Sequence, residues 1–143
     1  MLALVALVIL NAFIFAQTSV PEELTIVKQK YKALREHLVE TKNEKFRMLW
    51  REKPITGYLK MSDSVGWNTN KGQEIAICLD GTPNQIMHVL IHELAHCTVN
   101  EYSHSKEFWA NYVELRNIAM QIGIYDRIPT REQFCGQRIQ DGA

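Results

Sequence analysis

The sequence predicts an α+β fold in which a small mixed or antiparallel sheet is followed by an active-site helix and a C-terminal helix. Apolar residues recur with a period near two between Pro54 and Leu79, and at three- and four-residue spacing on either side of that stretch. The chain has 143 residues, of which 46% are hydrophobic, and its formal net charge is zero. This length and composition fit one small domain with a single core, residues 21–143.

The segment of residues 21–53 is predicted to be helical. Pro21 precedes either one long helix from Glu22 to about Trp50, or two helices joined near Asn43. The apolar seam of this segment consists of Leu24, Val27, Tyr31, Leu34 and Leu38. We expect the seam to pack on the rest of the domain, because it is too short for the alternative, a dimerising coiled coil.

Three strands are predicted in the stretch where the period is near two. The candidates are Thr56–Lys60, Val65–Asn68 and Glu74–Leu79, with a turn at Asn70-Lys71-Gly72 between the last two.

A capped helix is predicted to begin at Pro83. Thr82 and Gln85 have the spacing of a capping box, and a proline at the first helical position loses no hydrogen bond. Asn100 is the predicted end of this helix. Ser105 is then expected to cap a second helix that ends at Gly123. Its apolar face consists of Phe108, Tyr112, Leu115, Ala119 and Ile122.

The first of these helices carries the pattern H-E-x-x-H at His92, Glu93 and His96. Histidines at i and i+4 share one helix face, so both imidazoles can reach a single tetrahedral metal ion. A glutamate beside the first ligand can take a proton from a metal-activated water. The pattern predicts Zn²⁺ as the cofactor, His92 and His96 as ligands, and Glu93 as the catalytic base.

His104 is the predicted third ligand, since the short bend at Glu101–Ser103 would return it towards the histidine pair. Glu101 is the main alternative, because carboxylates also complete such sites, and Glu107 and Glu114 are weaker ones. Three protein ligands leave a fourth position open for water, which is typical of catalytic zinc sites.

The stretch from Gly72 to Gly136 also resembles the WLM and SprT-like zinc metallopeptidases, most closely the small uncharacterised versions found in large DNA viruses. The matching segments are Lys71–Leu79, Val89–His96, His104–Trp109, Ile122–Tyr125 and Phe134–Gly136. The resemblance implies a zincin-like catalytic core over residues 54–143. In such a core the strand at Gly72–Leu79 is expected to form the sheet edge beside the metal and to pair with an extended peptide. The resemblance also implies His92, His96 and His104 as ligands and Glu93 as the base.

The expected function is therefore that of a zinc endopeptidase that hydrolyses peptide bonds in a protein or peptide substrate. The alternative is a catalytically idle zinc-binding protein with a structural or interaction role in a viral particle or membrane complex. The presence of Glu93 favours the enzyme, because a purely structural zinc site does not need that carboxylate.

The charge pattern does not indicate a nucleic-acid partner. The 16 basic residues are balanced by 16 acidic ones, and no basic stripe stands out. The family resemblance extends to proteolysis of proteins crosslinked to DNA, but the residues themselves do not support that role here. The oligomeric state is not indicated.

Residues 1–20 are predicted to form a membrane anchor. Leu2–Ala16 is apolar except for Asn11, although its length is short of the roughly 20 residues of a spanning helix. A cleaved signal peptide, and hence secretion, is the alternative. Basic residues occur only on the C-terminal side: Lys28, Lys30, Lys32 and Arg35. They predict a single-pass membrane protein whose C-terminal domain is cytoplasmic, with a virion as a further setting.

The three cysteines, Cys78, Cys97 and Cys135, are too widely spaced to form a C-x-x-C metal pair. Buried thiols are the expectation in a cytoplasmic domain, and a bond between Cys78 and Cys135 is the alternative.

Other side chains near the histidine pair have less specific predictions. His88, one turn before His92, is expected to contact a ligand or to lie on the surface. The core is expected to contain Trp67, Trp109 and the tyrosines. The candidates for stabilising a developing oxyanion are Tyr102, Tyr112 and Tyr125.

Overall fold

Up to residue 121, the helices and strands follow one another in the order that the sequence predicts for an α+β fold. The computed structural model describes residues 1–17, 20–59 and 64–142. Its helices are α1 (Leu2–Gln17), α2 (Glu22–Glu40), a short 3₁₀ helix (Glu44–Leu49), α3 (Pro83–His96) and α4 (Lys106–Gln121). Its strands are β1 (Ile55–Tyr58), β2 (Gly66–Thr69), β3 (Glu74–Cys78), β4 (Glu132–Phe134) and β5 (Gln137–Ile139). The α+β class is confirmed.

The N-terminal helix α1 does not support the predicted membrane anchor over residues 1–20. Along the described ranges, no helix combines the length and the apolar character needed to cross a membrane. α1 itself has 16 residues, and its side chains at residues 2–16 are exposed. At 1.5 Å per residue it is about 24 Å long, whereas a hydrocarbon core is about 30 Å thick. Residues 18 and 19 of the predicted segment lie outside the described residues.

The predicted helical segment forms two helices, and the joint lies where it was expected. α2 ends at Glu40, and the side chain of Asn43 accepts a hydrogen bond from the amide of Phe46 (3.3 Å) at the start of the 3₁₀ helix. All five residues of the apolar seam are buried, and α2 contacts α3. The prediction that the seam packs on the rest of the domain is confirmed.

The sheet has the strand order β1-β3-β2, with β1 parallel and β2 antiparallel to β3. The prediction that Gly72–Leu79 forms the edge beside the site is wrong, because β3 is the central strand and β2 is the edge. Ile75, Ala76, Ile77 and Cys78 of β3 are all buried. Because successive side chains of a strand point to opposite faces, both faces of this central strand are covered. The predicted end of the first strand, Lys60, lies outside the described residues.

The predicted turn at Asn70-Lys71-Gly72 joins β2 to β3 and is confirmed. All three residues have positive φ angles, of 46°, 55° and 96°. At Gly72 a side chain would also collide with Lys53 and Cys97. The side-chain oxygen of Asn68 accepts a hydrogen bond from the amide of Gly72 (2.8 Å), which holds the turn against the start of β2.

The two helices after the sheet begin at the predicted residues. Both hydrogen bonds of the capping box between Thr82 and Gln85 are present at the start of α3. α3 ends at His96, four residues before the predicted stop. The side chain of Ser105 caps α4 by accepting from the amide of Phe108 (3.1 Å). α3 contacts α2, β2, β3 and α4, so the H-E-x-x-H helix is at the centre of the fold.

The C-terminal hairpin of β4 and β5 was not predicted from the sequence. A disulfide between Cys78 and Cys135 joins its turn to the end of β3, and among the described residues Cys97 is a free, buried thiol. The expectation of three thiols is therefore wrong, and the alternative pairing is observed. The disulfide holds the hairpin beside the N-terminal half of α3.

Candidate metal centre

Three imidazoles converge beside α3; two of them are half-buried and the third is exposed. His92 and His96 project from one face of α3, and His104 reaches them from the loop between α3 and α4. The Nε2 atom of His104 lies 3.1 Å from that of His92 and 3.1 Å from that of His96. Within the described ranges, these three residues form the cluster of metal-ligating side chains, with their ligand atoms all within 4.8 Å of one another.

These distances fit a tetrahedral metal ion. Two nitrogens at zinc-ligand distance, about 2.0–2.1 Å from a tetrahedral centre, lie about 3.3–3.4 Å apart. Hydrogen bonding alone does not account for both short contacts, because the Nε2 of a neutral His104 carries at most one proton to donate. The donor set therefore fits Zn²⁺, which prefers imidazole nitrogen in this number and geometry.

The protein environment keeps the histidines of α3 in the form that binds metal. Burial, reinforced by the neighbouring histidines, lowers the pKa of His92 to about 3. Burial, His104 and Lys71 lower the pKa of His96 to about 4. Both imidazoles are therefore neutral near pH 7, and a neutral imidazole has the free lone pair that a metal requires.

Glu93 lies beside this cluster and is buried, with 6% of its surface exposed. Burial raises the pKa of its carboxyl to about 7. The edge strand approaches it closely: a Cβ placed on Gly66 would lie 3.4 Å from Oε1 of Glu93. The carbonyl of Glu93 also accepts a hydrogen bond from the side chain of Asn68 (2.8 Å), so β2 and the metal helix are joined at this residue.

The alternative ligands lie elsewhere. The carboxylate of Glu101 accepts a hydrogen bond from Ser105, and Glu114 pairs with Lys45. Glu107 is exposed in the first turn of α4. None of the three belongs to the cluster of ligating atoms in the described structure.

Lys71 was not predicted to take part in the site. Its Nζ donates to the carbonyl of His96 (3.1 Å) and to that of Glu101, and it lies 4.1 Å from the centre of the Tyr102 ring. Lys71 thus links the end of α3 to the middle of the loop that carries His104. The only sequence signal was its place in the predicted turn.

A buried polar cluster lies behind the histidines and contains His88. Its Nδ1 is 3.1 Å from the hydroxyl of Tyr125, 3.3 Å from that of Tyr112 and 3.3 Å from the carboxylate of Asp141. Both tyrosines donate to Asp141, as does the amide of Ile128. His88 is therefore not on the surface. Asp141 was missed because nothing around it in the sequence marks a buried carboxylate.

This cluster determines the ionisation of its members. Burial opposes the charge on Asp141, but hydrogen bonds from His88, Tyr112, Tyr125 and Ile128 outweigh it and hold the pKa of the carboxyl well below its usual range. Burial and the bond to Asp141 raise the pKa of both tyrosines. The hydroxyls of Tyr112 and Tyr125 already donate to Asp141. Tyr102, in contrast, is exposed and borders the cleft that contains the three histidines.

Two cavities meet at the glutamate. The metal cleft, of about 300 Å³, contains the three histidines and is bordered by β2, Lys71 and Tyr102. A second cavity of about 360 Å³ shares Gly66, His92 and Glu93 with it. We call this second cavity the hairpin-side pocket. Its other walls are residues 64–65, His88 and Val89 of α3, Trp109 of α4, and residues 137–140.

The two tryptophans expected in the core border these cavities instead. Trp67 is 43% exposed in the metal cleft, and Trp109 is 46% exposed beside the hairpin-side pocket. Trp67 packs on Tyr58, with the ring centres 5.4 Å apart. Aromatic surface is thus presented to the cavities, where it can contact a ligand.

This combination of an H-E-x-x-H helix, a third histidine and a buried glutamate is of the zinc-metallopeptidase kind. The model of the WLM domain matches residues 36–141, and the chain belongs to this family. The family is peptidase-like and linked to zinc. The match confirms the resemblance seen in the sequence.

The chain is also similar to an uncharacterized protein of Acanthamoeba polyphaga mimivirus. The two are 30% identical over an alignment of 103 residues that covers 64% of this chain and 52% of the relative. The chain therefore spans about half the length of that relative. No solved structure shows a significant match.

Proposed function

We propose that the protein is a zinc-dependent endopeptidase. The observation that carries the proposal is the position of Glu93, a buried carboxylate that shares its cavity with three converging histidine nitrogens. His92, His96 and His104 would hold the ion and leave one coordination position open. Zinc bound there would supply a Lewis acid that polarises the substrate carbonyl and activates water.

Glu93 is the proton carrier of the proposed reaction. Its carboxylate takes a proton from the attacking water and delivers it to the amine that leaves when the peptide bond breaks. Burial suits this role, because removing water from around the carboxylate raises its pKa and makes it a better base than an exposed glutamate.

The edge strand β2 is the surface on which we expect an extended substrate to lie. In the antiparallel pair of β2 with β3, the carbonyl of Val65 accepts a hydrogen bond from the amide of Cys78. Neighbouring residues of a strand direct their backbone groups to opposite edges, so the amide and carbonyl of Gly66 face away from β3. The hydroxyl of Ser64 forms a hydrogen bond with each of these two groups: it accepts from the amide of Gly66 (3.2 Å) and donates to the carbonyl of Gly66 (2.6 Å). A substrate strand would replace that hydroxyl with its own backbone groups.

Zinc content and cleavage of an unfolded protein, measured for wild type and Glu93→Gln, test the proposal. We expect both proteins to bind one zinc ion, and the variant to cleave at least about 100-fold more slowly, as is typical when general acid–base catalysis is removed. Equal rates would contradict the role of Glu93. Full zinc occupancy without cleavage by wild type would instead identify a zinc-binding structural protein.

A further inference from the structure

The hairpin-side pocket lies on one particular side of the metal centre. Gly66, at the start of β2, faces Val89 and Glu93, whereas Lys71, just beyond the end of β2, bonds to the last residue of α3, His96. β2 and α3 therefore run in the same direction. The hairpin-side pocket adjoins Val89, towards the N-terminal end of α3, and the three histidines lie towards the C-terminal end.

Antiparallel pairing with β2 gives a bound peptide a direction. This pairing is the more stable kind per residue, and a peptide held in this way runs from the Lys71 end towards Gly66 and the hairpin-side pocket. Its N-terminal part then crosses the metal cleft, and its C-terminal part passes the pocket. Glu93 borders both cavities, so the amine that receives its proton belongs to the residue on the pocket side.

The walls of the pocket indicate the side chain that it accepts. Its most buried members are Val89, Glu93, Ile139 and His88, which are 3%, 6%, 7% and 9% exposed, and the indole of Trp109 forms one side. The Nδ1 of His88 is already bonded within the buried cluster, and Glu93 lies where the pocket meets the metal cleft. The exposed rim is polar and consists of Gln137, Arg138 and Gln140. The apolar surfaces of Val65, Val89, Trp109 and Ile139 favour a large apolar or aromatic group.

We propose that the hairpin-side pocket binds a large apolar or aromatic side chain of the substrate residue that directly follows the cleaved bond. This assignment rests on the proposed peptidase function. It also gives the C-terminal hairpin a role, because Ile139 of β5 forms part of the buried wall. The disulfide to β3 then keeps that wall in place beside α3.

The first experiment measures preference. Cleavage sites in an unfolded protein are mapped by mass spectrometry with the zinc-loaded full chain. Peptides based on one site are then made with leucine, phenylalanine, alanine or aspartate after the cleaved bond. We expect kcat/KM to be at least about tenfold higher for leucine or phenylalanine than for alanine or aspartate, as apolar pockets discriminate by this much.

Val65→Phe is the variant that fills the pocket. Val65 is half-buried and lines the pocket but is not part of the metal centre. We expect the preference for leucine over alanine to disappear, because the phenyl ring takes the space of the larger side chain. Val39→Phe, at an exposed position of α2, is the matched control and is expected to leave the preference unchanged.

Peptide binding to the zinc-loaded Glu93→Gln protein separates this inference from the proposed function, because binding does not require turnover. Cleavage without a preference, or a preference that survives Val65→Phe, overturns the pocket assignment and leaves the peptidase intact. Wild type that does not cleave overturns the peptidase. A peptide series of arbitrary sequence, with leucine, phenylalanine, alanine or aspartate at one position, is then used for binding. At least about tenfold tighter binding of its leucine member, lost in Val65→Phe, would still support an apolar ligand in the pocket. Neither cleavage nor discrimination in binding overturns both.

Discussion

Gly66 allows the edge strand to approach the metal helix more closely than any residue with a side chain would. A Cβ at this position would lie 2.6 Å from Cγ1 of Val89 and 3.1 Å from the carbonyl oxygen of Ala76. Neither neighbour can move freely, because Val89 is buried in α3 and Ala76 is in the central strand. The free edge of β2 therefore lies beside Glu93 only because residue 66 is glycine.

We predict that Gly66→Ala lowers the free energy of unfolding by about 1–3 kcal/mol, the usual cost of overpacking, and slows peptide cleavage. Urea denaturation and the cleavage assay measure the two effects. Gly142→Ala is the control, since a Cβ there meets nothing within 4 Å. An unchanged stability for Gly66→Ala would contradict the close packing of β2 on α3.

Asp141 is the buried charge on which several other groups depend. Its carboxylate accepts from Tyr112, Tyr125 and the amide of Ile128, and it lies near His88 and Arg116. Removing one member of such a buried network destabilises the folded state, because the remaining members lose hydrogen bonds that water cannot replace. The two tyrosines come from α4 and from the chain after it, so the cluster ties the C-terminal segment to α3.

We predict that Asp141→Asn lowers the free energy of unfolding at pH 7 by about 2–4 kcal/mol. The pKa of Asp141 is depressed in the folded protein, so its stabilisation is present above the unfolded pKa near 4 and is lost as the pH falls below that value. The difference between wild type and variant should therefore be constant from pH 7 to about pH 5 and shrink as the pH falls further. Urea titrations of the metal-free proteins measure it, with exposed Asp80→Asn as control. A difference that stays constant at lower pH as well would contradict the assignment.

At the scale of elements, the position of a strand within the sheet was harder to predict than its existence. Glu74–Cys78 was predicted as a strand. Its unbroken apolar run from Ile75 to Cys78 is typical of a strand that is covered on both faces. Chain order was misleading, because the chain forms the edge strand β2 first and then turns back at Asn70–Gly72 to place β3 between β1 and β2. Strand neighbours depend on contacts between residues distant in sequence.

The β4–β5 hairpin is the element that a covalent bond holds to the sheet. The disulfide joins residues separated by 57 positions, and restricting a loop of that length in the unfolded chain corresponds to about 4 kcal/mol. We predict that reduction, or alanine at both Cys78 and Cys135, lowers the free energy of unfolding by up to that amount. Urea denaturation with and without a thiol reductant measures it. The free energy of unfolding of the double variant should not change when reductant is added. If that of the wild type does not change either, the disulfide does not stabilise the fold.

At the scale of the whole molecule, the metal is expected to act as a link between α3 and the loop before α4. Zinc at about 100 times its dissociation constant would add about 2.7 kcal/mol to the free energy of unfolding. We predict that chelation lowers Tm and that added zinc restores it. His104→Ala should abolish this response and Glu101→Ala should retain it, because only His104 lies in the cluster of ligating nitrogens. The reverse result would identify Glu101 as the third ligand.

The candidate site was predictable to the extent that it is local. His92, Glu93 and His96 lie on one turn, so helix geometry alone places the two imidazoles together. His104 also followed from the sequence, since a short loop capped by Ser105 has few ways to return. Lys71 and Asp141 were not predictable, because Lys71 lies 25 residues from His96 and Asp141 lies 53 residues from His88 in the sequence.

The sequence by itself determined the helices, their caps, the α+β class and the histidine pair, because each depends on contacts within a few residues. Only the tertiary structure decided that β2 is the edge strand, that Cys78 bonds to Cys135, and that Trp67 and Trp109 border cavities rather than fill the core. These features depend on which distant segments of the chain become neighbours. The neighbours are determined by the packing of the apolar seam of α2 and of β3 against α3, which buries all three. The pocket beside Glu93 is of the second kind, since its walls come from the strand, both helices and the C-terminal hairpin.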